Sequence, residues 1–585
     1  MKRLFTSLII LLATLPMLAQ GWPEKYDGVM LQGFYWNSYT DTNWAKLESQ
    51  ADEMSQFFSL IWVPNSAYAN SLDKNMGYHP VYWFDHKSCF GTEAQLRSMI
   101  NTFKAKGTGI IEDVVINHRA SVDGNWLNFP AETYKGVTYQ LTAADICQDD
   151  ESKNSGFNPT GAKDTGEAWR GARDLDHTGE NVQKNVNAYL DFLLNDLGYV
   201  GFRYDFVKGY AAKYVGQYNK TAQPQFSVGE CWDNKSVIVN WIKGTKQDGV
   251  IQSAAFDFPM KDNINAVFAT ASNWSQLNNA ALVNDVNYVR YAVTFVDNHD
   301  TGPGAENPTA PLYANIEAAN AFILTLPGTP CVWLRHWQAF KTAIKKQILA
   351  RKATGVHSQS TILKKEASSN GYVLNVQGTK GNMLLVLGRA TTSTSGYKLV
   401  VEGTNYKLYV SDSVDTSAID DIHDDTFDAP DCCVVNDGEM CAFYEAPTSY
   451  TNVKCWAWNS ACNFTNGQWP GTACVKVGTN NGKNVWKWTW NGKAYKPSST
   501  TEMTPSGQPT GIIFNYSGGQ TGDLDFQNGG YYNEAGAYQG TVTGIDYIKN
   551  DTDFQTAKIY TLDGRQVEHP QRGIYIVNKK KVVIR

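Results

Sequence analysis

The chain has 585 residues, too many for one ordinary core, so roughly three or four domains are expected. Hydrophobic residues make up 42% and charged residues 18%, which points to packed globular units, and a net charge of −6 leaves no basic stripe for nucleic acid. No interior apolar run is long enough to read as a membrane span. The 18 Trp and 31 Tyr are an excess over ordinary usage, and flat rings suit the faces of sugars as well as cores.

At the N-terminus, Lys2 and Arg3 precede an apolar stretch from Leu4 to Leu18, and Ala19 offers a small residue for cleavage. This is the pattern of an export signal over residues 1–19. No Cys lies near the cut, which argues against a lipid anchor. An exported chain is free to oxidise, and six of the ten Cys crowd one window: Cys432, Cys433, Cys441, Cys455, Cys462 and Cys474. Some of them are expected to pair, though six Cys allow about 15 connectivities and sequence does not choose. Zinc is the weaker reading, because no CxxC pair and no local His accompany them.

From residue 20 to 355, strand-like apolar runs alternate with amphipathic helical stretches. VMLQGFYW (29–36) is followed by the helical NWAKLESQADEMSQF, then LIWVPN (60–65) and TGIIEDVVIN, a helix around 181–197, and VGFRYDF. QFSVGE, SAAFDF, YAVTFVDN and TPCVWL complete the series. This rhythm predicts parallel strands with crossover helices, and the length predicts an α/β fold of the (β/α)8 TIM-barrel type. An open doubly wound sheet is the alternative, but no GxGxxG follows the first strand. The stretch 119–176 is too long and polar for an ordinary βα loop, so it reads as a small inserted domain over the active face.

Beyond the barrel, residues 356–412 carry short runs (YVLNV, NMLLVLG, YKLVV, YKLYVS) that predict an antiparallel β domain. Residues 413–431 are acidic and read as a linker. Residues 432–540 form a Cys- and Trp-rich β-sandwich module, and 541–585 a small β unit with a hairpin around Asp563-Gly564.

Four strand-end motifs concentrate the chemistry: DVVINH (113–118), GFRYDFVKGY (201–210), SVGECW (227–232) and FVDNHD (295–300). They deliver Asp205, Glu230 and Asp300, with Arg203, His118 and His299 beside them. Barrel active sites lie at the C-terminal ends of strands. Two carboxyl groups in different electrostatic environments are what glycosidic cleavage needs. Arg203, two residues before Asp205, faces the same side of its strand and favours an ionised Asp205.

These motifs, in this order, resemble the α-amylase family of retaining glycoside hydrolases over about residues 24–412. The resemblance implies Asp205 as nucleophile, Glu230 as general acid/base and Asp300 as stabiliser of the cationic transition state. It implies that Tyr78, in MGYHPVYWF, stacks on the sugar at the cleavage point, and that His118 and His299 hydrogen-bond that sugar. Lys208 and Trp232 then fall on the leaving-group side. Tyr82 and Trp83 read as core.

Within the family, ICQDD (146–150), DTGEAWRGARDLDH (164–177) and FVKGY (206–210) are similar to plant α-amylase segments. There calcium (Ca2+) pins the inserted domain to the barrel. Carried over, the ligands are Asn117, the carboxylates of Asp164 and Asp174, and the carbonyls of Glu167 and Gly209, all oxygen donors as a hard cation requires. Ala168 replaces one acid that further calcium ions use in plant enzymes, so one ion is expected.

The 432–540 module resembles starch-binding β-sandwich modules. Trp456 and Trp458 in KCWAWN share one strand face, and Trp469 in QWPGT supplies a third ring. One face of every sandwich strand must be buried, so the alternation fits core rings as well. WKWTW (486–490) reads as core. KIYTLDGRQV (558–567) and GIYIVNKKKVVIR (573–585) resemble the sorting domain of bacterial type IX secretion. The expectation is a monomeric, extracellular or cell-surface hydrolase acting on internal α-1,4 bonds of starch. Two other readings share the sequence. A glucanotransferase or debranching relative has the same carboxylates, and a non-catalytic glycan-binding protein is disfavoured because all three are present.

Overall fold

The computed structural model describes residues 21–122, 125–422, 429–430, 432–436, 438–480, 482–534, 536 and 538–542, with the backbone of four short strands between 559 and 584. The expected export signal lies outside these residues. The chain divides into two compact units, 1–423 and 424–585.

In the first unit, each of the eight apolar runs becomes a barrel strand. In chain order these are β1 (Met30–Gln32), β2 (Leu60–Val63), β3 (Gly109–Val114), β4 (Gly201–Tyr204), β5 (Phe226–Gly229), β6 (Ala254–Phe256), β7 (Ala292–Phe295) and β8 (Thr329–Trp333). Neighbours pair in parallel, and β1 pairs with both β2 (Met30↔Leu60) and β8 (Met30↔Cys331), which closes the barrel and rules out the open sheet. Nearly every strand residue is buried, because the barrel interior covers one face and the helices the other.

The amphipathic helices bury one stripe each, whereas Ile316–Thr325 is buried all round from Ala318 onward. In Glu93–Ala105, Leu96, Met99, Ile100 and Phe103 recur at helical spacing, and Thr92 and Gln95 cap its N-terminus reciprocally. Between β3 and β4 the inserted segment is tied to the barrel by a two-residue ladder, His118–Arg119 against Arg173–Asp174. After the barrel, five antiparallel strands form one sheet. Four match the expected runs. The fifth, Thr361–Ala367, is rich in charge and nowhere fully buried, so apolar patterning did not mark it.

The second unit packs two antiparallel-rich sheets around Tyr444, Cys455, Trp488, Ile512, Phe514 and Tyr532. Trp488 of WKWTW is in this core, with Trp486 and Trp490 packed partly buried against it. All ten cysteines are free thiols, so the expected pairing among the six is not formed. Register explains one case. Cys455 stands opposite Thr472, while the Cys474 N–H bonds the Val453 carbonyl, so the two thiols are diagonal neighbours. In the tail, the strands flanking Asp563-Gly564 pair antiparallel, Ile559↔Val567.

Candidate active site

The strand ladder sets the carboxylates. The Asp205 N–H bonds the Val114 carbonyl and the Glu230 N–H bonds the Tyr204 carbonyl, both at 3.0 Å, so each side chain leaves the barrel one step past its strand. Both line a crevice of about 850 Å³ at the C-terminal face, with Asp300, Tyr78, Lys208 and Trp232.

Beneath them lies Arg203, 1% exposed. Its Nη1 contacts Asp205 Oδ1 at 2.7 Å and Asp113 Oδ1 at 2.5 Å, and its Nη2 contacts Glu230 Oε1 at 2.8 Å. One guanidinium thus holds the two carboxylates on a single planar fork. The residue after Asp205, Phe206, is left-handed (φ 40°), a costly conformation for a bulky residue. It aims the Phe206 N–H at Glu230 Oε2, 3.0 Å away.

Burial drives the Glu230 carboxyl up to about 8, aided by Asp205 and Asp300 and opposed by Arg203. Asp300 rises to about 6, also through burial, with Arg203 opposing and Asp205 adding. Of these two carboxyls, Glu230 is the one held protonated near neutrality.

His299 and His118 are fully buried under the crevice floor. His299 bonds Gln32 through Nδ1 (2.8 Å) and Tyr78 OH through Nε2 (2.6 Å), with Asp300 Oδ2 3.2 Å from Nε2. Burial, then Arg203, holds this ring neutral. His118 Nε2 meets the Tyr78 carbonyl at 2.9 Å, and its ring stacks on Trp169. In this state both histidines orient Tyr78. Lys208 also spends its ammonium on protein: Trp232 O (3.3 Å), Asp233 Oδ2 (3.0 Å) and Glu167 Oε1 (3.1 Å). Trp232 stacks on Phe258, centroids 4.9 Å apart. Trp83 is core and Tyr82 half-buried.

Two residues were missed. Asp113, fully buried, pairs with Arg203 across the β3–β4 register and accepts Tyr78 OH at 3.0 Å. The available signal was a charged residue inside the apolar run of DVVINH. Trp36, at the end of the first run, lines the crevice with its ring parallel to Tyr78, 6.0 Å away.

Of the expected calcium ligands, Asn117, Asp174 and Gly209 lie together, and Asp164 is close enough to act on Asp174 electrostatically. Among the described residues, Asp164 Oδ2 is buried without a hydrogen-bond partner. Asn117 Nδ2 reaches Asp174 Oδ1 at 3.2 Å, and its Oδ1 sits where a Cβ on Gly209 would fall, 2.0 Å away. The loop bearing Glu167 is joined to Lys208 by the Glu167 N–H bond to the Lys208 carbonyl, 2.9 Å. Burial raises Asp174 to about 8, and Asp164, Asp150 and Glu151 add to it. An oxygen-only set, buried at Asn117, Asp174 and Gly209 and with an orphaned carboxylate oxygen on half-buried Asp164, fits a hard cation. Asp150 and Glu151 also approach Asp174, within 4.8 Å, but they share the Arg173 guanidinium, which already supplies their counter-charge.

In the second unit, the strand Lys454–Trp458 alternates, with Cys455 and Ala457 inward and Trp456 and Trp458 outward and half-buried. Trp469 is 49% exposed and meets Trp456 edge-on, centroids 5.6 Å apart. Trp458 lies over Gly511, where an added Cβ would fall 2.5 Å from the indole.

A closed parallel barrel whose strand ends gather three carboxylates around a buried arginine defines a carboxylate-based glycosidase. Residues 58–347 match the family described as alpha amylase, catalytic domain. Over 403 residues the chain is 30% identical to probable alpha-amylase 2 of Arabidopsis thaliana, covering 65% of this chain and 93% of that protein. It is 28% identical over 392 residues to glucan 1,4-alpha-maltotetraohydrolase of Stutzerimonas stutzeri, covering 62% and 68%. The crystal structure of α-amylase from Geobacillus thermoleovorans, complexed with acarbose, aligns with TM-score 0.47 at 13% identity, covering 66% of this chain and 98% of that one. The chain belongs to the α-amylase family and is a glycoside hydrolase.

Proposed function

We propose that this chain cleaves internal α-1,4-glucosidic bonds of starch and related α-glucans with retention. Asp205 attacks the anomeric carbon. Glu230 gives its proton to the departing glycosidic oxygen and then takes one from the water that releases the glycosyl–enzyme. Asp300 stabilises the cationic transition state, with Tyr78 stacked on the reacting sugar and His118 and His299 beneath it. The observation that carries this is the Arg203 fork, which grips Asp205 and Glu230 together. Sharing one cation favours the short separation of a retaining pair, about 5–5.5 Å, over a gap that admits water between them. Chromatographed amylose digests test it. Short linear maltooligosaccharides are expected, whereas longer or cyclic chains would mark a glucanotransferase.

One calcium ion is proposed at Asn117, Asp164, Asp174 and the carbonyls of Glu167 and Gly209. When bound it supplies a fixed positive charge that joins the inserted segment to the barrel. At a hundredfold excess over its dissociation constant the ion adds about 2.7 kcal/mol of stability. A chelator is therefore expected to lower the unfolding midpoint by several degrees, with calcium restoring it, and Asp164→Asn to remove the response. A midpoint indifferent to chelator contradicts the site.

Trp456, Trp458 and Trp469 are proposed as a platform for α-glucan, raising the local substrate concentration. Replacing Trp456 and Trp469 by Ala is expected to weaken binding to granular starch about tenfold. Hydrolysis of short oligosaccharides should be unchanged, and retention of granule binding sinks the platform. Export through the 1–19 signal, sorting of residues 541–585 by type IX machinery, and a monomeric state complete the reading. Deleting 541–585 should then trap the enzyme in the periplasm, and normal delivery would overturn this.

A further inference from the structure

The apolar strand β1 ends in an amide, Gln32, which is buried. Its register sets it level with Trp62 on β2 and Trp333 on β8, so it stands between two indoles. An apolar side chain would be the ordinary choice there, because a buried amide must find partners for two N–H donors and a carbonyl. Among the described residues its side chain makes one hydrogen bond, from Nε2 to His299 Nδ1 at 2.8 Å, and its Oε1 is buried without a partner. The amide is thus kept at a standing cost, and its one bond goes to the His299 ring. The far side of that ring fixes where its proton lies. Tyr78 OH has a single proton and donates it to Asp113 Oδ2 (3.0 Å), so it accepts at the 2.6 Å contact with His299 Nε2. Asp300 Oδ2, 3.2 Å from the same nitrogen, is a second acceptor. Two acceptors at Nε2 call for the proton there, and in a neutral ring this leaves Nδ1 a bare lone pair. Phe34 and Trp62 crowd the ring, with centroids 5.0 and 5.4 Å away, and the Gln32 N–H is the donor that meets the lone pair. The same reasoning turns the amide with its nitrogen, not its oxygen, toward the ring.

We propose that Gln32 is a positioning residue for the cleavage reaction, whose N–H holds His299 in the Nε2–H tautomer and in the orientation from which that proton faces Tyr78, Asp300 and the reacting sugar. This rests on the hydrolase reading above. Gln32 hydrogen-bonds none of the three carboxylates, so its effect passes through the imidazole. Without the amide, the Nδ1 lone pair is buried unpaired, and the ring is free to tilt and to loosen Tyr78 and the Nε2 donor together.

The test uses the full-length enzyme with saturating calcium in a double-mutant cycle on amylose: wild type, Gln32→Met, His299→Ala and the two combined. Gln32→Met keeps the bulk of the side chain and removes the amide. It is expected to lower kcat about tenfold, the size of one lost buried hydrogen bond, with KM changed less than about twofold. In the His299→Ala background the same substitution should cost less than about twofold, because the group it acts through is gone. An equal loss in both backgrounds marks a packing role and overturns the proposal, as does wild-type kinetics in Gln32→Met. Nitrogen NMR of enzyme carrying isotope-labelled histidine reads the ring directly, the His299 signals being those missing from His299→Ala. Wild type should show a protonated Nε2 and a bare, hydrogen-bonded Nδ1, and Gln32→Met should move Nδ1 to the position of an unbonded imidazole nitrogen. Should Gln32→Met fail to fold, the wild-type spectrum decides by itself: a protonated Nδ1 overturns the assignment, and a bare, hydrogen-bonded Nδ1 supports it. A wild-type enzyme with the expected spectrum but inactive on amylose would support the ring assignment and overturn the substrate reading.

Discussion

Asp205→Asn is expected to abolish turnover, lowering kcat on amylose about ten-thousandfold or more while leaving the fold intact. The amide keeps the shape of the carboxylate but is a poor nucleophile and carries no charge. Arg203 would still be held in place by Asp113 and Glu230, both within hydrogen-bond reach. The variant should therefore retain substrate binding. Titration with maltoheptaose, read by Trp fluorescence at the crevice, would show unchanged affinity beside lost rate. Substantial activity in Asp205→Asn would move the nucleophile elsewhere.

Glu230→Gln is expected to cost about a thousandfold on amylose and about tenfold on α-maltosyl fluoride. A general acid matters in proportion to the basicity of the leaving group. The pH profile carries the same information. Burial raises the Glu230 carboxyl to about 8, so it is protonated below that value and loses its proton above it. The wild-type rate on amylose should fall as pH rises through about 8. In Glu230→Gln that limb should vanish. Equal losses on both substrates, or a basic limb that survives the substitution, would remove Glu230 from the acid role.

What sequence could show follows from where the information lies. The eight barrel strands were readable because each is an apolar run that ends in polar residues, a pattern set by two buried faces and one functional edge. The carboxylates were readable because they sit at those edges. Asp113 was harder, since its role depends on the register that sets it opposite Arg203, a residue 90 positions away. The ion-pair partners of Lys208, Glu167 and Asp233, sit on loops that meet only in the folded barrel. Alternation placed Trp456 and Trp458 on one face but did not say which. Cys455 and Ala457 decide it by filling the core. The charged strand Thr361–Ala367 had no apolar signal, because it lies at a sheet edge.

The central claim is double displacement by Asp205 and Glu230 on internal α-1,4 bonds. Proton NMR of the first reducing ends released from amylose tests it most directly, before mutarotation mixes the anomers. The account predicts that the α-anomer signal rises first, with chain length falling early. A β-anomer appearing first, or no new reducing ends, would contradict it.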